Sequence, residues 1–408
     1  MLLELILAIF IGIIIGTITG LTPGIHINLV AVILLSFSAF LLNLTTPIIL
    51  VIFITSMAIT HTFVDYLPSI FLGAPDEDSF LSILPGHQLL LKGHAFEAIV
   101  LTLYGGLMAL IIILIFTPIF IYMLPIIYPF FQKIMWLVLI LISTFLIITE
   151  KNKKTHALII FLLAGFLGIA SLNLNIKEPL LPLLTGLFGA SNLLISIKQK
   201  TKIPEQKIDL LKNIKLSKKS IAKTFLASIL SSPFTAFLPG LGASQAALIG
   251  QQFLDIKNSK EFLFLLGAIN TIVMGLSFVT LFSIQKTRTG AAATISRLIP
   301  ELTINNLYLI ILSIIISGLI AFSLTIFLAK FFAKNIHKIE YSKLSKIILI
   351  ILFIMITIFS DSTISGKLLA LLVFFISTSL GIFTILSEVK RMHLMGCLLV
   401  PTILFYLL

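Results

Sequence analysis

Gly20-Leu21-Thr22-Pro23-Gly24-Ile25-His26 interrupts one apolar run near the start of the chain, and Phe237-Leu238-Pro239-Gly240-Leu241-Gly242-Ala243-Ser244 interrupts another, 216 residues later from proline to proline. Proline removes a backbone donor and glycine tolerates unusual dihedrals, so each Pro-Gly pair ends one apolar segment and begins the next. The runs on either side are Leu, Ile and Phe stretches of roughly 15–30 residues bounded by short polar breaks, which is the pattern of helical membrane spans; a β-barrel alternates over segments of about 10. Two breaks inside such spans set the reading of the whole chain. In hydrocarbon an unpaired peptide group costs several kcal/mol, so non-helical backbone at that depth is expected only where protein or a wet cavity satisfies it.

Composition agrees. Of the 408 residues 59% are hydrophobic and 11% charged, against about 45–50% and about 25% in soluble domains. The expectation is an all-α, polytopic integral membrane protein of about 12–14 transmembrane or re-entrant helices, multi-pass in the cell membrane. Lys and Arg outnumber Asp and Glu 28 to 16. No basic run is interleaved with aromatics in a polar domain, so the excess speaks for topology and contact with the lipid bilayer, with no nucleic acid partner. Cys397 is the only cysteine, which excludes disulfide frameworks and Cys-based metal sites. The first 20 residues lack a basic n-region and a cleavage site and read as a retained span.

Candidate spans are 2–20, 26–42, 47–72, 95–124, 133–149, 156–172, 178–197, 221–238, 242–256, 260–285, 306–329, 345–360, 366–388 and 393–408. The densest basic stretch, 198–220, goes to the cytoplasm by the positive-inside rule. Counting outward puts the lysines of 150–155, 255–260, 330–346 and 389–393 on the same side, with loop 125–132 outside. The exception is 286–301, outside by this count yet holding Lys286, Arg288 and Arg297.

The 216-residue offset recurs. It carries the polar stretch 74–94 onto 290–310 and the span starting at 95 into the span 306–329, while the count places the two polar stretches on opposite sides. Two inverted-topology repeats with broken helices follow, 1–124 and 221–329, with 125–220 as connecting helices plus basic loop and 330–408 as C-terminal helices. Such repeats form transporters that hold substrate near the midplane, where half-helix ends point at the ligand. A helix starting after Gly24 or Gly240 would aim free N–H groups at a carboxylate or phosphate. The substrate-binding candidates are therefore Thr22, Pro23, Gly24, His26 and Asn28 at the first break, and Pro239, Gly240, Gly242, Ser244 and Gln245 at the second. Arg288 and Arg297, two of three arginines in a lysine-rich chain, offer a planar fork for anions.

His61 and Asp65 lie four apart and share a helix face, where an ionisable pair inside a membrane needs partners or water. They are the leading candidates for coupling to H+ or Na+, and Asp76 and Asp78 of the acidic stretch Pro75-Asp76-Glu77-Asp78 are further ones. The EF-hand ligand alternation and zincin spacing are absent, so no metal and no cofactor is expected.

On these residues the chain resembles the large membrane subunit of tripartite tricarboxylate transporters, the TctA-like permease family, including its archaeal uncharacterised branch. The matching pieces are Gly16-x-x-x-Gly20-Leu21-x-Pro23-Gly24, Phe71-Leu72-Gly73-Ala74-Pro75, Pro85-Gly86-His87-Gln88-Leu89-Leu90-Leu91-Lys92-Gly93 and Leu238-Pro239-Gly240-Leu241-Gly242-Ala243-Ser244. The resemblance implies a secondary permease, not an enzyme, for a small organic anion such as a di- or tricarboxylate, working with a small membrane subunit and an extracytoplasmic binding protein. Asp76, Glu77 and Asp78 stand where the family tends to have small residues, and an acidic rim repels a trianion unless protonated or neutralised by a cation. Two alternatives stand beside it: a polyprenyl-phosphate or other lipid-carrier translocase, which would bind its phosphate at the same helix ends and arginines, and a membrane enzyme acting on a lipid-linked substrate, for which only the scattered His26, His61, Asp65, His87 and His94 offer acid/base or metal groups.

Overall fold

The structure is a computed structural model and describes residues 2–22, 42–43, 45–72, 83–150, 153–199, 203–237, 242–338 and 340–408. Among the described residues every regular element is helical, and eight helices are long and apolar enough to cross a membrane. In chain order the α-helices, short ones included, are α1 (Leu2–Leu21), α2 (Pro47–Val64) continued by a π-helical turn (Pro68–Leu72), α3 (Ile83–Leu91), α4 (Ala95–Lys133), α5 (Met135–Ile148) and α6 (Lys154–Asn173). Then come α7 (Leu180–Leu184), which passes through a second π-helical stretch (Thr185–Ala190) into α8 (Ser191–Gln199), then α9 (Lys218–Phe237), α10 (Ala243–Phe253) and α11 (Ser259–Ile284). The chain closes with α12 (Gly290–Leu298), α13 (Ile304–Asn335), α14 (Tyr341–Phe359), α15 (Ile364–Leu386) and α16 (Gly396–Leu407).

Two elements are almost wholly enclosed, α2 with its π turn and α11; the other spans keep lipid-compatible apolar faces. Small residues allow the close approach, since apolar lipid gives helices no hydrophobic reason to associate and packing must do so. Gly12, Gly16 and Gly20 form one stripe of α1. A Cβ there would stand 2.6 Å from the Phe53 carbonyl oxygen, 2.5 Å from that of Met57 and 2.8 Å from the Val64 side chain, so the two backbones nearly touch. The contact positions rise together, and α1 and α2 run parallel. In the same way Gly105 of α4 faces Phe264 of α11, Gly267 faces Thr102, Gly275 faces Ile113, and the Ser283 hydroxyl donates to Ile121 O at 3.0 Å, so α4 and α11 are parallel.

The central crossing runs the other way. Thr62 pairs with Thr271 at 3.2 Å, and the Tyr66 hydroxyl donates to Leu266 O at 3.1 Å, so α2 and α11 are antiparallel. Tyr104 stacks on Phe322, and Gly318 meets Leu110, so α4 and α13 are antiparallel too. Helix α9 starts beside α11, where the Ser220 hydroxyl donates to Glu261. Adding 216 to Leu2–Leu21 gives the bounds of α9, Lys218–Phe237. Hence α1 and α2 run one way and α4 the other, while α9 and α11 run opposite to α1 and α2, and α13 opposite to α4.

Three sequence expectations are corrected. Residues 125–132, expected as a loop, continue α4 through Pro118, Pro125 and Pro129; proline is tolerated in a membrane span where neighbours satisfy the freed carbonyls. The polar stretch 286–301 contains a helix, α12, whose N-cap Thr289 accepts from Ala292 N–H and whose Ala291, Ala292, Thr294 and Ile295 are buried; alternating small and charged residues had masked its amphipathic period. Arg391, counted among the loop charges, donates to Leu187 O at 3.1 Å, to Phe188 O and to Ser191 Oγ at 3.2 Å, with its guanidinium over the Phe188 ring. The wider winding of the π-helical stretch leaves carbonyls to satisfy, and the planar cation caps them.

Candidate functional site

Helix α1 ends beside the middle of the bundle. Gly20 abuts Val64 and the Asp65 amide, so the last turn of α1 lies at the level of Asp65. That level is fixed from the other side by Asn270, whose Nδ2 donates to Asp65 Oδ2 at 3.0 Å. Asn270 lies 11 residues into α11, about 16 Å from its start at 1.5 Å per residue, well inside a span of 26 residues. Asp65 and His61 are both 3% exposed. Few ionisable pairs survive at such depth without partners, and here α1 and α11 each supply one.

His61 Nδ1 stands 3.1 Å from Thr19 Oγ1, which in turn reaches Gly16 O at 3.1 Å. A hydroxyl has a single proton; given to Gly16 O, it leaves the oxygen to accept from His61. One face of α2 therefore holds a carboxylate and an imidazole one turn apart, each tied to a different helix. The π turn Pro68–Leu72 follows at once, and Ile70 of that turn carries Gly86 of α3. Burial pushes the His87 imidazole on α3 below its usual value and favours the neutral form.

The second half of the molecule differs chemically. Positions 216 residues after Thr19, His61 and Asp65 are Thr235, Ser277 and Leu281. Ser277 pairs with the α12 cap Thr289 at 3.0 Å, and the Thr235 hydroxyl returns to Ser232 O at 2.7 Å. Non-ionisable side chains, two hydroxyls and one leucine, thus occupy the counterpart positions, and of these six described positions only His61 and Asp65 can carry charge.

The other expected site residues separate into groups. Pro23, Gly24, His26, Asn28, Asp76, Asp78, Pro239 and Gly240 lie outside the described residues, and so does the Gln245 side chain. Thr22 donates its hydroxyl to Ile18 O at 2.7 Å and closes the last turn of α1. Gly242 opens α10, accepting from Ala246 N–H, and Ser244 is buried there. Arg288 sits just past the far end of α11, donating to the phenol oxygens of Tyr128 and Tyr406; burial lowers its pKa, and the electrostatic attraction and hydrogen bonds to the two phenols work the other way. Arg297 is exposed on α12. The structure therefore joins His61 and Asp65 to Thr19 and Asn270, but places neither arginine beside them. Thr19 and Asn270 were not singled out from sequence. Asn270 had left a signal, a lone amide inside the apolar run 260–285; Thr19 had left none. Among the described residues no group of three His, Cys, Asp or Glu side chains converges as a metal site.

A polytopic helical membrane protein with oppositely directed helix sets and a buried, ionisable polar seam between them has the build of a membrane transport protein. Comparison with known sequences gives the family. The family model of the Tripartite tricarboxylate transporter TctA family matches residues 6–396, and the chain belongs to that family. It is also similar to Uncharacterized protein MJ1079 of Methanocaldococcus jannaschii, 30% identical over 393 residues and covering 95% of each chain. No solved structure matches. The expectation of a TctA-like membrane transport component is thereby met, and the archaeal relative is itself without an assigned activity.

Proposed function

We propose that this protein is a secondary permease for a small organic anion, a di- or tricarboxylate, bound between the breaks at Pro23-Gly24 and Pro239-Gly240 in the cell membrane. The observation that carries the reading is the end of α1 beside the buried Asp65, in a family of tricarboxylate transporter components. Helix α9 begins level with α11 and ends seventeen residues beyond Ser220, near the level of Phe278. The described ends of α1 and α9 then lie about 12 Å apart along the bundle axis. Thr22, Gly242, Ser244 and Gln245 stand at their flanks, with His26 and Asn28 just past the first. Arg288 and Arg297, displaced toward the far end of α11, fit the anion's entry path better than its resting place.

The opposed directions of α1, α2, α4 and α9, α11, α13 support movement of one repeat, 1–124, against the other, 221–329, with 125–220 and 330–408 as surrounding helices. His61 and Asp65 couple that movement to H+ or Na+, because they can change charge while their described counterparts Ser277 and Leu281 cannot; Asp76 and Asp78 are assigned to the approach. A small membrane subunit and an extracytoplasmic binding protein complete the system.

The test is uptake of labelled citrate, succinate and related anions into proteoliposomes by the parent chain and by Gly24→Leu and Gly240→Leu. Uptake lost in both variants is expected. Uptake that persists unchanged in both overturns the site. Competition by polyprenyl phosphate, but by no soluble carboxylate, would transfer the reading to a lipid-carrier translocase.

A further inference from the structure

The basic stretch before α9, which the charge count treats as a topology signal, is a strap bound to the body of the protein. Gln206 Oε1 accepts from Ala95 N–H at 3.0 Å, the first residue of α4, and its Nε2 donates to Leu90 O at 3.0 Å, in the last turn of α3. Lys207 N–H donates to Gly93 O at 2.8 Å, and the Tyr104 hydroxyl donates to Leu211 O at 3.1 Å. Gly93 adopts φ +81°, and a side chain there would meet the Glu205 carbonyl oxygen at 2.9 Å. Ile214 is buried.

A single glutamine side chain thus satisfies the free amide at the start of α4 and adds a second donor to the Leu90 carbonyl, which already accepts from Gly93 N–H at 2.9 Å, so it ties together both ends of the α3–α4 turn. What it holds in place is α3, and α3 packs against both the π turn after Asp65 and α11. Lys260 of α11 pairs with Glu97 of α4 on the same side, which anchors that edge of the seam. The strap, the α3–α4 turn, the π turn and Asp65 form one continuous series of contacts.

We propose that Gln206 is a positioning residue for transport: through the α3–α4 turn it keeps α3 seated on the π turn and closes the seam to the side on which the strap lies. The transport role rests on the reading given under Proposed function, whereas the closure is a property of the fold and is tested without substrate.

The experiment is side-specific labelling of Ser69→Cys, a position in the π turn that is fully buried, with a membrane-impermeant maleimide on full-length protein in vesicles of known orientation; native Cys397 is buried and serves as background. With the strap intact, labelling from the strap side is slow. Combined with Gln206→Ala it is expected to rise about tenfold, the order set by losing two hydrogen bonds, with no rise from the opposite side. Gln206→Glu, which retains the acceptor for Ala95, gives an intermediate rate. Tyr104→Phe, which removes only the Leu211 bond, gives about a twofold rise and decides the matter if Gln206→Ala does not fold. A lowered Tm with labelling unchanged in these variants, or equal rises from both sides, overturns the proposal. If labelling responds as expected while no anion is taken up, the permease reading fails and the strap's closure stands; if uptake occurs and labelling is unmoved, the reverse holds.

Discussion

Replacement of Gly267 by alanine tests the packing on which the seam depends. The added Cβ would stand 2.7 Å from both the Cα and the carbonyl carbon of Thr102, and closer still to its oxygen. Apolar contacts are comfortable at about 3.5–4.0 Å, so α11 must retreat from α4 by about 1 Å, a gap that forfeits a quarter to a half of each dispersion contact along the line of approach. Backbone atoms cannot rotate aside as a flexible side chain does. Overpacking of this kind costs about 1–3 kcal/mol, while the better helix propensity of alanine returns about 0.8–1 kcal/mol. The lost contacts along the seam tip the balance, and the net expectation is destabilisation of about 1–2 kcal/mol. Gly189→Ala is the internal control: its Cβ would find Leu352 at 3.7 Å and Thr185 at 3.9 Å, ordinary contacts, so propensity alone acts and stability is unchanged or slightly raised. Gly105→Ala, which meets Phe264 from the facing helix, should match Gly267→Ala. The double variant should cost less than the sum, because a single retreat accommodates both methyl groups. Thermal unfolding of the purified protein in detergent, followed by loss of the monodisperse peak, reads all four. A Gly267→Ala protein as stable as Gly189→Ala would refute the close parallel pairing of α4 and α11.

Two further outcomes follow from named contacts. Removing the amide donor by Asn270→Ala should show a coupling energy with Asp65→Asn of about 0.6–1.7 kcal/mol in a double-mutant cycle, the range for hydrogen bonds inside membrane proteins, and should move the pH profile of uptake; a coupling near zero would dissociate Asp65 from α11. At the opposite surface, the Asp361 carboxylate accepts from the Thr363 amide and hydroxyl and the Lys177 amide, which lowers its pKa from 3.8 to about 2. A depressed carboxylate contributes stability above its unfolded value and loses it as pH falls toward the folded one. The melting temperature of the parent chain should therefore decline between pH 3.8 and about 2, and Asp361→Asn should be lower at neutral pH and flat across that window.

Much of the architecture was legible in the chain. Hydrophobic runs of membrane-spanning length have one stable backbone solution in lipid, and the boundaries read from Pro, Gly and charge fall within a few residues of the helices, as at 47–72 for Pro47–Leu72 and 260–285 for Ser259–Ile284. The 216-residue offset was visible in two Pro-Gly pairs, and the shared face of His61 and Asp65 followed from helical periodicity alone. What local sequence could not encode was partnership. Thr19 and Asn270 reach His61 and Asp65 across separations of 42 and 205 residues, and nothing near either residue specifies that meeting. The proline-containing end of α4 and the helix α12 depended on neighbours that bury Tyr128, Ala291 and Ala292. Lysines and an arginine that looked like topology marks acquired anchoring roles only once Lys260 met Glu97 and Arg391 met the π-helical carbonyls. Helix formation in a membrane is decided residue by residue by the need to pair backbone groups; which helices touch, and so which polar groups survive buried, is decided by close packing between segments distant in the chain.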